Sequence, residues 1–129
     1  MSVGYSTTLR NARLDAITTA VGNGGKLQIY DGSRPATGGA ATNKLAEFTM
    51  GTPFASAASA GGLSPSLPSN TTGLFAGTAT WARLTTSGGT FVVDMSVGTS
   101  SADLILNTTS IAVGSTVSLT SATITEGNA

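Results

Sequence analysis

Two runs of residues, 77–86 and 90–97, flank the sequence Ser87-Gly88-Gly89, and this pattern constrains the fold more than any other feature. Within each run, apolar and polar residues alternate, which is typical of half-buried strands. A short connection rich in glycine between two such runs is typical of a β-hairpin. We therefore predict an antiparallel hairpin in the second half of the chain.

The register of this hairpin depends on the length of its turn. If the two glycines form a two-residue turn, Arg83 lies opposite Asp94 and shares a face with Trp81. A three-residue turn would place Arg83 opposite Val93 instead. Paired opposite charges and paired apolar groups each contribute a few tenths to about 1 kcal/mol, so we favour the first register. If the ion pair is exposed, we expect it to contribute less than about 1 kcal/mol.

Other short segments with strand-like alternation occur on both sides of the hairpin. They are residues 26–30, 46–50, 103–107, 111–113 and 116–125. In the last of these the apolar residues change parity, which predicts a bulge near Ser121. Several short strands at intervals of roughly 10 residues are typical of an antiparallel β-sandwich or jelly roll. We therefore predict a mainly β fold of one of these two types.

A single helix is predicted at the N-terminus. A Ser or Thr within residues 6–8 can cap its start, and Gly22 follows its last apolar residue. The expected apolar stripe consists of Leu9, Ala12, Ala16, Ile17, Ala20 and Val21. Arg10, Arg13 and Asp15 are expected on the opposite face of the helix.

The length of 129 residues fits one domain. We divide it into an N-terminal arm and helix, residues 1–22, and a β-sandwich, residues 26–126. Two long connections, 31–44 and 55–73, are rich in small residues and proline. Long loops in compact domains are commonly functional or mobile, and we expect the same of these two loops.

Composition excludes several classes of function. Thr (22), Ala (18), Gly (17) and Ser (16) make up more than half of the chain, and six basic residues balance six acidic ones. This balance lacks the basic footprint of a nucleic-acid-binding protein. The absence of His and Cys removes the usual general base, the thiolate nucleophile and the commonest metal ligands. We therefore expect no enzymatic activity, no catalytic residues, no bound metal and no cofactor.

Two glycine-rich stretches resemble catalytic motifs only superficially. The stretch 22–26 ends in Lys26 but lacks the spacing and the following Ser or Thr of a phosphate-binding loop, and it runs from helix to strand. The stretch 98–102 has serines between small residues, but it lacks the final glycine of a nucleophile elbow. We interpret the first as a helix cap followed by a turn, and the second as a connection between strands.

The acidic residues offer two further alternatives. Asp94 and Asp103 lie on successive strands and could form the carboxylate pair of a glycosidase. We expect instead that Asp94 pairs with Arg83 and that Asp103 accepts hydrogen bonds from nearby backbone. Together with Asp31 they could also contribute to a calcium site, although the chain has no Asp-rich calcium loop.

Four segments of the chain resemble small virion proteins of tailed bacteriophages. They are Lys26-Leu-Gln-Ile-Tyr-Asp-Gly-Ser-Arg-Pro-Ala36, Leu45-Ala-Glu-Phe-Thr49, and the continuous stretch formed by 81–97 and 98–111. The resemblance extends over most of the chain and includes no catalytic motif.

This resemblance implies a capsid decoration or cement protein that binds the major capsid protein lattice on the outer surface of the virion. Such proteins are commonly β-sandwiches or jelly rolls that act as dimers or trimers, so a homo-oligomer is expected. The N-terminus lacks the apolar core of a secretory signal, and no apolar run could span a membrane. We therefore expect synthesis in the host cytoplasm and no membrane or nucleic-acid partner.

Five residues are candidate contacts with such a partner: Tyr5, Arg10, Arg34, Phe54 and Phe75. The three aromatic residues are the expected anchors, because aromatic side chains dominate the energetics of protein interfaces. For Phe54 and Phe75 the alternative is that they attach loops to the core.

Two other functions remain open: a virion protein of the tail, neck or fibre, and a carbohydrate-binding module. In the second, Tyr5, Tyr30 and Trp81 would form a stacking platform for sugars. An exposed aromatic strip on one sheet face would favour the sugar-binding function. Apolar loops that project from the ends of the fold, together with a buried Trp81, would favour the capsid protein.

Overall fold

The fold was analysed in a computed structural model that describes residues 4–125. Residues 1–3 of the predicted arm, and residue 126 at the end of the predicted β-sandwich, lie outside the described residues. Within the described range the protein is mainly β with one N-terminal helix, which confirms the predicted fold class at this level.

One helix and twelve short strands follow each other along the described chain. They are α1 (Thr7–Val21), β1 (Lys26–Tyr30), β2 (Lys44–Thr49), β3 (Gly62–Leu63), β4 (Thr71–Thr72), β5 (Gly77–Thr78), β6 (Trp81–Thr85), β7 (Phe91–Gly98), β8 (Leu104–Leu106), β9 (Ser110–Ile111), β10 (Thr116–Val117), β11 (Leu119–Ala122) and β12 (Ile124–Thr125). The predicted strands thus form, although several are shorter than expected, the run 77–86 divides into two strands and the run 116–125 divides into three.

Six of these strands form one sheet in the order β11-β8-β7-β6-β1-β2. All neighbours are antiparallel except β7 and β8, which are parallel. The remaining strands form three two-stranded ribbons, β3–β12, β4–β10 and β5–β9. The predicted sandwich or jelly roll is not confirmed, because in the described residues these ribbons do not join into a second continuous sheet.

The β6–β7 hairpin confirms the predicted pairing of Arg83 with Asp94, but its turn differs from the prediction. The amide of Thr86 donates to the carbonyl of Thr90 at 2.9 Å. The turn enclosed by this hydrogen bond therefore contains three residues, 87–89, rather than two. Gly89 has a φ of 92°, a conformation that residues with a side chain rarely adopt. A β-bulge within the hairpin then shifts the pairing by one residue and restores the predicted register.

A second predicted irregularity is also present. The pairing of β11 with β8 shifts between Leu119 and Ser121, close to the expected bulge. Because the shift changes the side-chain parity, Leu119 and Ala122 are both buried although they are three residues apart.

The hydrophobic core covers one face of the six-stranded sheet. Directly opposed side chains of neighbouring strands point to the same face, and strands β1, β2, β6 and β7 contribute Leu27, Ile29, Phe48, Ala82, Leu84 and Met95 to it. Leu14 and Val21 of α1 belong to the same buried cluster, as do Leu63 and Val117 from the ribbons. The helix and the ribbons therefore share a core with the sheet.

Helix α1 begins and ends where the sequence predicts. Ser6 is its N-cap, with its hydroxyl oxygen accepting from the amide of Leu9 at 3.2 Å. Gly22 ends the helix with a φ of 68°, and its amide donates to the carbonyl of Thr18 at 3.1 Å. A left-handed glycine is a common helix C-cap, so the glycine-rich stretch 22–26 is the predicted cap and turn.

The buried face of α1 differs from the predicted stripe. Leu14 and Val21 are buried and Ile17 is half-buried, whereas Leu9 and the three predicted alanines are exposed. The reason is that an alanine buries only one methyl group, so the larger side chains at positions 14, 17 and 21 determine which face packs.

This rotation turns two charged residues toward the protein. Arg10 and Asp15, which were expected on the outer face, are half-buried against the loop that precedes β3. The carboxylate of Asp15 accepts from the amide of Ala58 at 2.7 Å, and the side-chain oxygen of Asn11 accepts from the amide of Gly61 at 2.9 Å. The helix therefore attaches part of the predicted mobile loop 55–73 to the fold.

Two leucines on the same helix provide a matched test of this orientation. Leu14 is 1% exposed and Leu9 is 45% exposed. We expect Leu14→Ala to lower the free energy of unfolding by about 2–5 kcal/mol, because it leaves a cavity in the core. Leu9→Ala should change it by less than about 1 kcal/mol. Urea denaturation of both variants measures this difference, and equal costs would contradict the helix orientation.

Candidate functional site

The face of the sheet opposite the core carries a column of aromatic and cationic side chains. The rings of Tyr30 and Trp81 stack with their centroids 4.5 Å apart. The guanidinium carbon of Arg83 lies 5.2 Å from the ring centroid of Trp81 and 5.1 Å from that of Phe91. Arg83 therefore interacts with the π-systems of both rings, an arrangement that partly replaces the hydration of its charge.

An ion pair fixes the position of Arg83. Its Nε donates to Oδ1 of Asp94 at 2.8 Å, and its Nη2 donates to Oδ2 at 3.2 Å. The side chains of Arg83 and Asp94 are only 12% and 3% exposed. The predicted pairing is thus confirmed, but the pair is buried, whereas the small stability contribution expected from sequence assumed an exposed one.

Residues 31–43, which we call the strap loop, cover this face of the sheet. Nη2 of Arg83 also donates to the carbonyl of Gly39 at 2.8 Å, and the amide of Gly38 donates to the carboxylate of Asp94 at 3.1 Å. The indole nitrogen of Trp81 donates to the carbonyl of Asp31 at 3.0 Å. The strap loop is therefore held against the sheet by side chains of β6 and β7.

The base of the strap loop is closed by its own residues. The carboxylate of Asp31 accepts from both the backbone amide and the side-chain amide of Asn43, at 3.1 and 3.3 Å. The loop that was expected to be functional or mobile is thus attached to its own sheet, at its base and at Gly38 and Gly39. Arg34, near its tip, is exposed.

The pKa shifts of Asp94, Arg83 and Tyr30 follow from these same contacts. Burial raises the pKa of Asp94, but the hydrogen bonds from Arg83 and Gly38 outweigh this, so the pKa lies below its usual value. The hydrogen bond to Asp94 raises the pKa of Arg83. Burial raises the pKa of Tyr30, whose hydroxyl donates to the side-chain oxygen of Gln28 at 2.8 Å. At neutral pH the column therefore contains a fully charged Arg–Asp pair and a neutral tyrosine.

The stacking platform considered for a carbohydrate-binding module is not formed by Tyr30 and Trp81 on this face. Trp81 is 1% exposed and Tyr30 is 7% exposed, because they lie beneath the strap loop. Tyr5 lies before α1, where the guanidinium of Arg13 sits 4.8 Å from its ring centroid. The buried rings of Tyr30 and Trp81 have no face available for a sugar to stack on.

The acidic residues considered for catalysis or calcium binding have separate partners. Asp94 pairs with Arg83, and Asp31 accepts from Asn43. Asp103 accepts from the amide and the hydroxyl of Ser96, both at 3.1 Å, which confirms its expected role as a backbone acceptor. Within residues 4–125, no three Asp, Glu, His or Cys side chains lie close enough together to hold a metal ion.

The five predicted contact residues lie in four different parts of the chain. Phe54 is 1% exposed and belongs to the core, so it attaches its loop to the fold and is not available as an anchor. Phe75 is 62% exposed, so it does not attach its loop to the core. Tyr5 and Arg34 are also at the surface, and Arg10 is half-buried beside Gly61.

Two exposed residues that the sequence analysis missed accompany Phe75. Leu74 is 46% exposed and Val113 is 71% exposed. The amide of Gly73 donates to the carbonyl of Ser115, and the amide of Gly114 donates back to the carbonyl of Gly73, both at 2.9 Å. These bonds join the turn that carries Leu74 and Phe75 to the turn that carries Val113.

We call Leu74, Phe75 and Val113 the apolar tip. Its backbone is rigidly supported, because the amide of Leu74 also donates to the carbonyl of Leu45 on β2 at 2.7 Å. A Cβ atom at Gly73 would collide with the carbonyl of Ala112, so this close approach requires glycine. In the sequence, the flanking glycines indicate turns, but only the fold brings the two turns together.

The buried ion pair should be much more important for stability than an exposed one. We expect Arg83→Ala to lower the free energy of unfolding by about 3–5 kcal/mol, because Asp94 then remains buried without its partner. Arg34→Ala is the matched control, and because Arg34 is exposed we expect a change within about 0.5 kcal/mol. Chemical denaturation measures both values. A cost below about 1 kcal/mol for Arg83→Ala would contradict the structural role of the pair.

The lowered pKa of Asp94 predicts a direction for the pH dependence of stability. In the unfolded chain an aspartate titrates near about 3.9. The stabilisation by Asp94 is therefore fully present above that pH, and it is lost as pH falls through the lower pKa of the folded state. We expect the free energy of unfolding to decrease below about pH 4. An NMR titration in which the Asp94 carboxyl titrates at or above its unfolded value would contradict this expectation.

Comparisons with known proteins give no independent identification. No family model, no curated protein and no solved structure matches the chain. Among the described residues, no helix is both long and apolar enough to cross a membrane. The function is therefore inferred from the residues and geometry of this chain.

Proposed function

We propose that this chain is a non-enzymatic structural protein of a tailed-bacteriophage virion. Its role would be that of a decoration or cement protein that binds the major capsid protein lattice on the outer capsid surface and acts as a homo-oligomer. The starting point is the resemblance of its sequence to small virion proteins. The distribution of its aromatic and apolar side chains in the fold supports the choice among the open alternatives.

The observation that carries the proposal is the combination of a buried Trp81 with an exposed apolar tip. Sugar binding requires accessible ring faces, and the two sheet rings considered for a platform, Tyr30 and Trp81, are buried. Large apolar side chains that remain exposed on supported turns mark protein-contact surfaces, because burying them against a partner is favourable. This arrangement favours a protein that binds other proteins over a carbohydrate-binding module.

The rigidity of the surface also suits a cement protein. The two turns of the apolar tip are hydrogen-bonded to each other and to β2, so little conformational freedom is lost when a second copy of the chain covers them and a homo-oligomer forms. Each contact can be weak, because a decorated shell repeats it many times and a multivalent protein gains avidity from simultaneous contacts. A small fold can therefore stabilise a lattice without high affinity at any single contact.

Electron microscopy of intact particles tests this proposal directly. We expect density for this chain at repeated positions on the outside of the icosahedral shell. Particles that lack the protein should lose their DNA at lower temperature, and adding the purified chain should restore the wild-type value. Density confined to the tail, neck or fibres would support the alternative location. Absence of the chain from purified particles would contradict a virion role.

A further inference from the structure

Two long segments of the chain carry no charge. Residues 48–82 and residues 104–125 contain no Asp, Glu, Lys, Arg or His. Each of the three ribbons pairs one strand from the first segment with one strand from the second. The ribbons therefore bring the two uncharged segments side by side, and the charged residues of the described chain lie outside them.

The apolar tip belongs to these uncharged segments. Leu74 and Phe75 lie in the first segment, between β4 and β5, and Val113 lies in the second, between β9 and β10. The residues around the tip are small or hydroxylated, such as Thr72, Ala112 and Ser115. The core of a typical protein interface is likewise depleted of charge and rich in apolar side chains.

We infer that the apolar tip and the uncharged residues around it form a self-association surface, on which a second copy of this chain docks about a two-fold axis. This inference deepens the proposed function, because it assigns a surface to the homo-oligomer. Only the role of the oligomer in a virus particle depends on the proposed function. The association itself is a property of the isolated chain.

The lack of charge is the reason to choose a second copy as the occupant. In a two-fold interface the same patch lies on both sides, so any charged group near the axis meets a like charge or must find a partner off the axis. The apolar tip and its uncharged surroundings avoid this cost. A nucleic acid or an anionic lipid surface would find no cationic side chain in the two segments to pair with.

One carboxylate lies beside the first uncharged segment: a Cβ atom at Gly77 would be 3.6 Å from Oδ2 of Asp31, and this carboxylate already accepts two hydrogen bonds from Asn43. Leu45, whose carbonyl accepts from Leu74, follows Lys44 in the chain. Nζ of Lys44 donates to the carboxylate of Glu47 at 2.7 Å, and this bond lowers the pKa of Glu47. The charges of Lys44 and Glu47 on β2 therefore offset each other.

The area needed for a stable dimer fits the molecule. A standard interface buries about 800 Å² on each partner, which is about one eighth of the accessible surface of 6402 Å². Three side chains cannot supply this area alone, so the flanking Thr, Ser, Ala and Gly residues of the uncharged segments must also be covered. Phe75 and Val113 would be the anchors, because they are the most exposed large apolar side chains in the described chain.

Sedimentation velocity of the purified chain tests the inference. We expect the wild-type protein to sediment as a dimer and to dissociate to monomer on dilution. Phe75→Ser and Val113→Ser should each weaken the dimer at least about tenfold in Kd, because each removes an apolar anchor. The matched control is Leu9→Ser, which changes an exposed leucine on α1 and should leave the Kd unchanged. Circular dichroism and a melting curve establish that all three variants remain folded.

Salt provides a second measurement on the unmodified protein. Raising the NaCl concentration from about 0.05 to about 1 M should leave the dimer unchanged or tighten it, because no charge pairs are screened at an apolar interface. A wild-type chain that remains monomeric at about 100 μM would overturn the inference. A dimer that weakens at least tenfold on addition of salt would also overturn it.

Site-specific crosslinking locates the contact without depending on a loss of stability. The chain has no cysteine, so Val113→Cys and Leu9→Cys each introduce a single thiol. A short bismaleimide should join two copies of the first variant efficiently and two copies of the second only at background level. The reverse result would overturn the assignment of the surface.

Particle binding separates this inference from the proposed function. A wild-type chain that dimerises through position 113 but is absent from particles would leave the self-association surface intact and contradict the virion role. A chain that decorates capsids but is monomeric, or whose oligomer is unaffected by Phe75→Ser and Val113→Ser, would retain the virion role and overturn the inference.

Discussion

The interaction on which much of the structure depends is the burial of the Arg83 guanidinium between two aromatic rings and against Asp94. A buried charge is costly unless it has a partner and its remaining hydrogen bonds are satisfied. Here the partner comes from the neighbouring strand β7, and a further acceptor comes from Gly39 in the strap loop. The same ion pair therefore fixes the hairpin register and holds a loop over the sheet. The opposite face of the sheet is then left to the hydrophobic core.

Local alternation was enough to predict the strands and the pairing of Arg83 with Asp94, because side chains on successive residues point to opposite faces. It could not predict the three-residue turn, since a bulge in the same hairpin compensates for the extra turn residue. The helix was predicted with its correct caps but with the wrong buried face. The apolar pattern gave alanine the same weight as leucine, whereas Leu14 contributes much more burial than Ala12.

For the strap loop and the loop after Phe54, the sequence did not reveal how the loops are attached to the fold. Small residues and prolines correctly indicated irregular structure in the regions around the strap loop and after Phe54, but they suggested mobility. Both loops are attached by contacts between residues far apart in sequence, such as Trp81 with Asp31 and Asp15 with Ala58. Such contacts leave no local pattern. For the same reason the position of Val113 beside the turn of Phe75 could not be predicted, because only the fold brings the two turns together.

Most of the aromatic and charged side chains on the sheet make contacts within the fold, and this affects which surface is left to bind other proteins. The chain has only one tryptophan and two tyrosines. Trp81 and Tyr30 stack on each other beneath the strap loop, and Arg83 and Asp94 form an ion pair there. Much of the remaining surface is built from small neutral residues, with the apolar tip projecting from it. Such a surface binds through shape and apolar burial, which tolerate changes in ionic strength better than charge pairs do. For the proposed virion protein, this property would keep the shell stabilised when the particle moves between environments of different salt concentration.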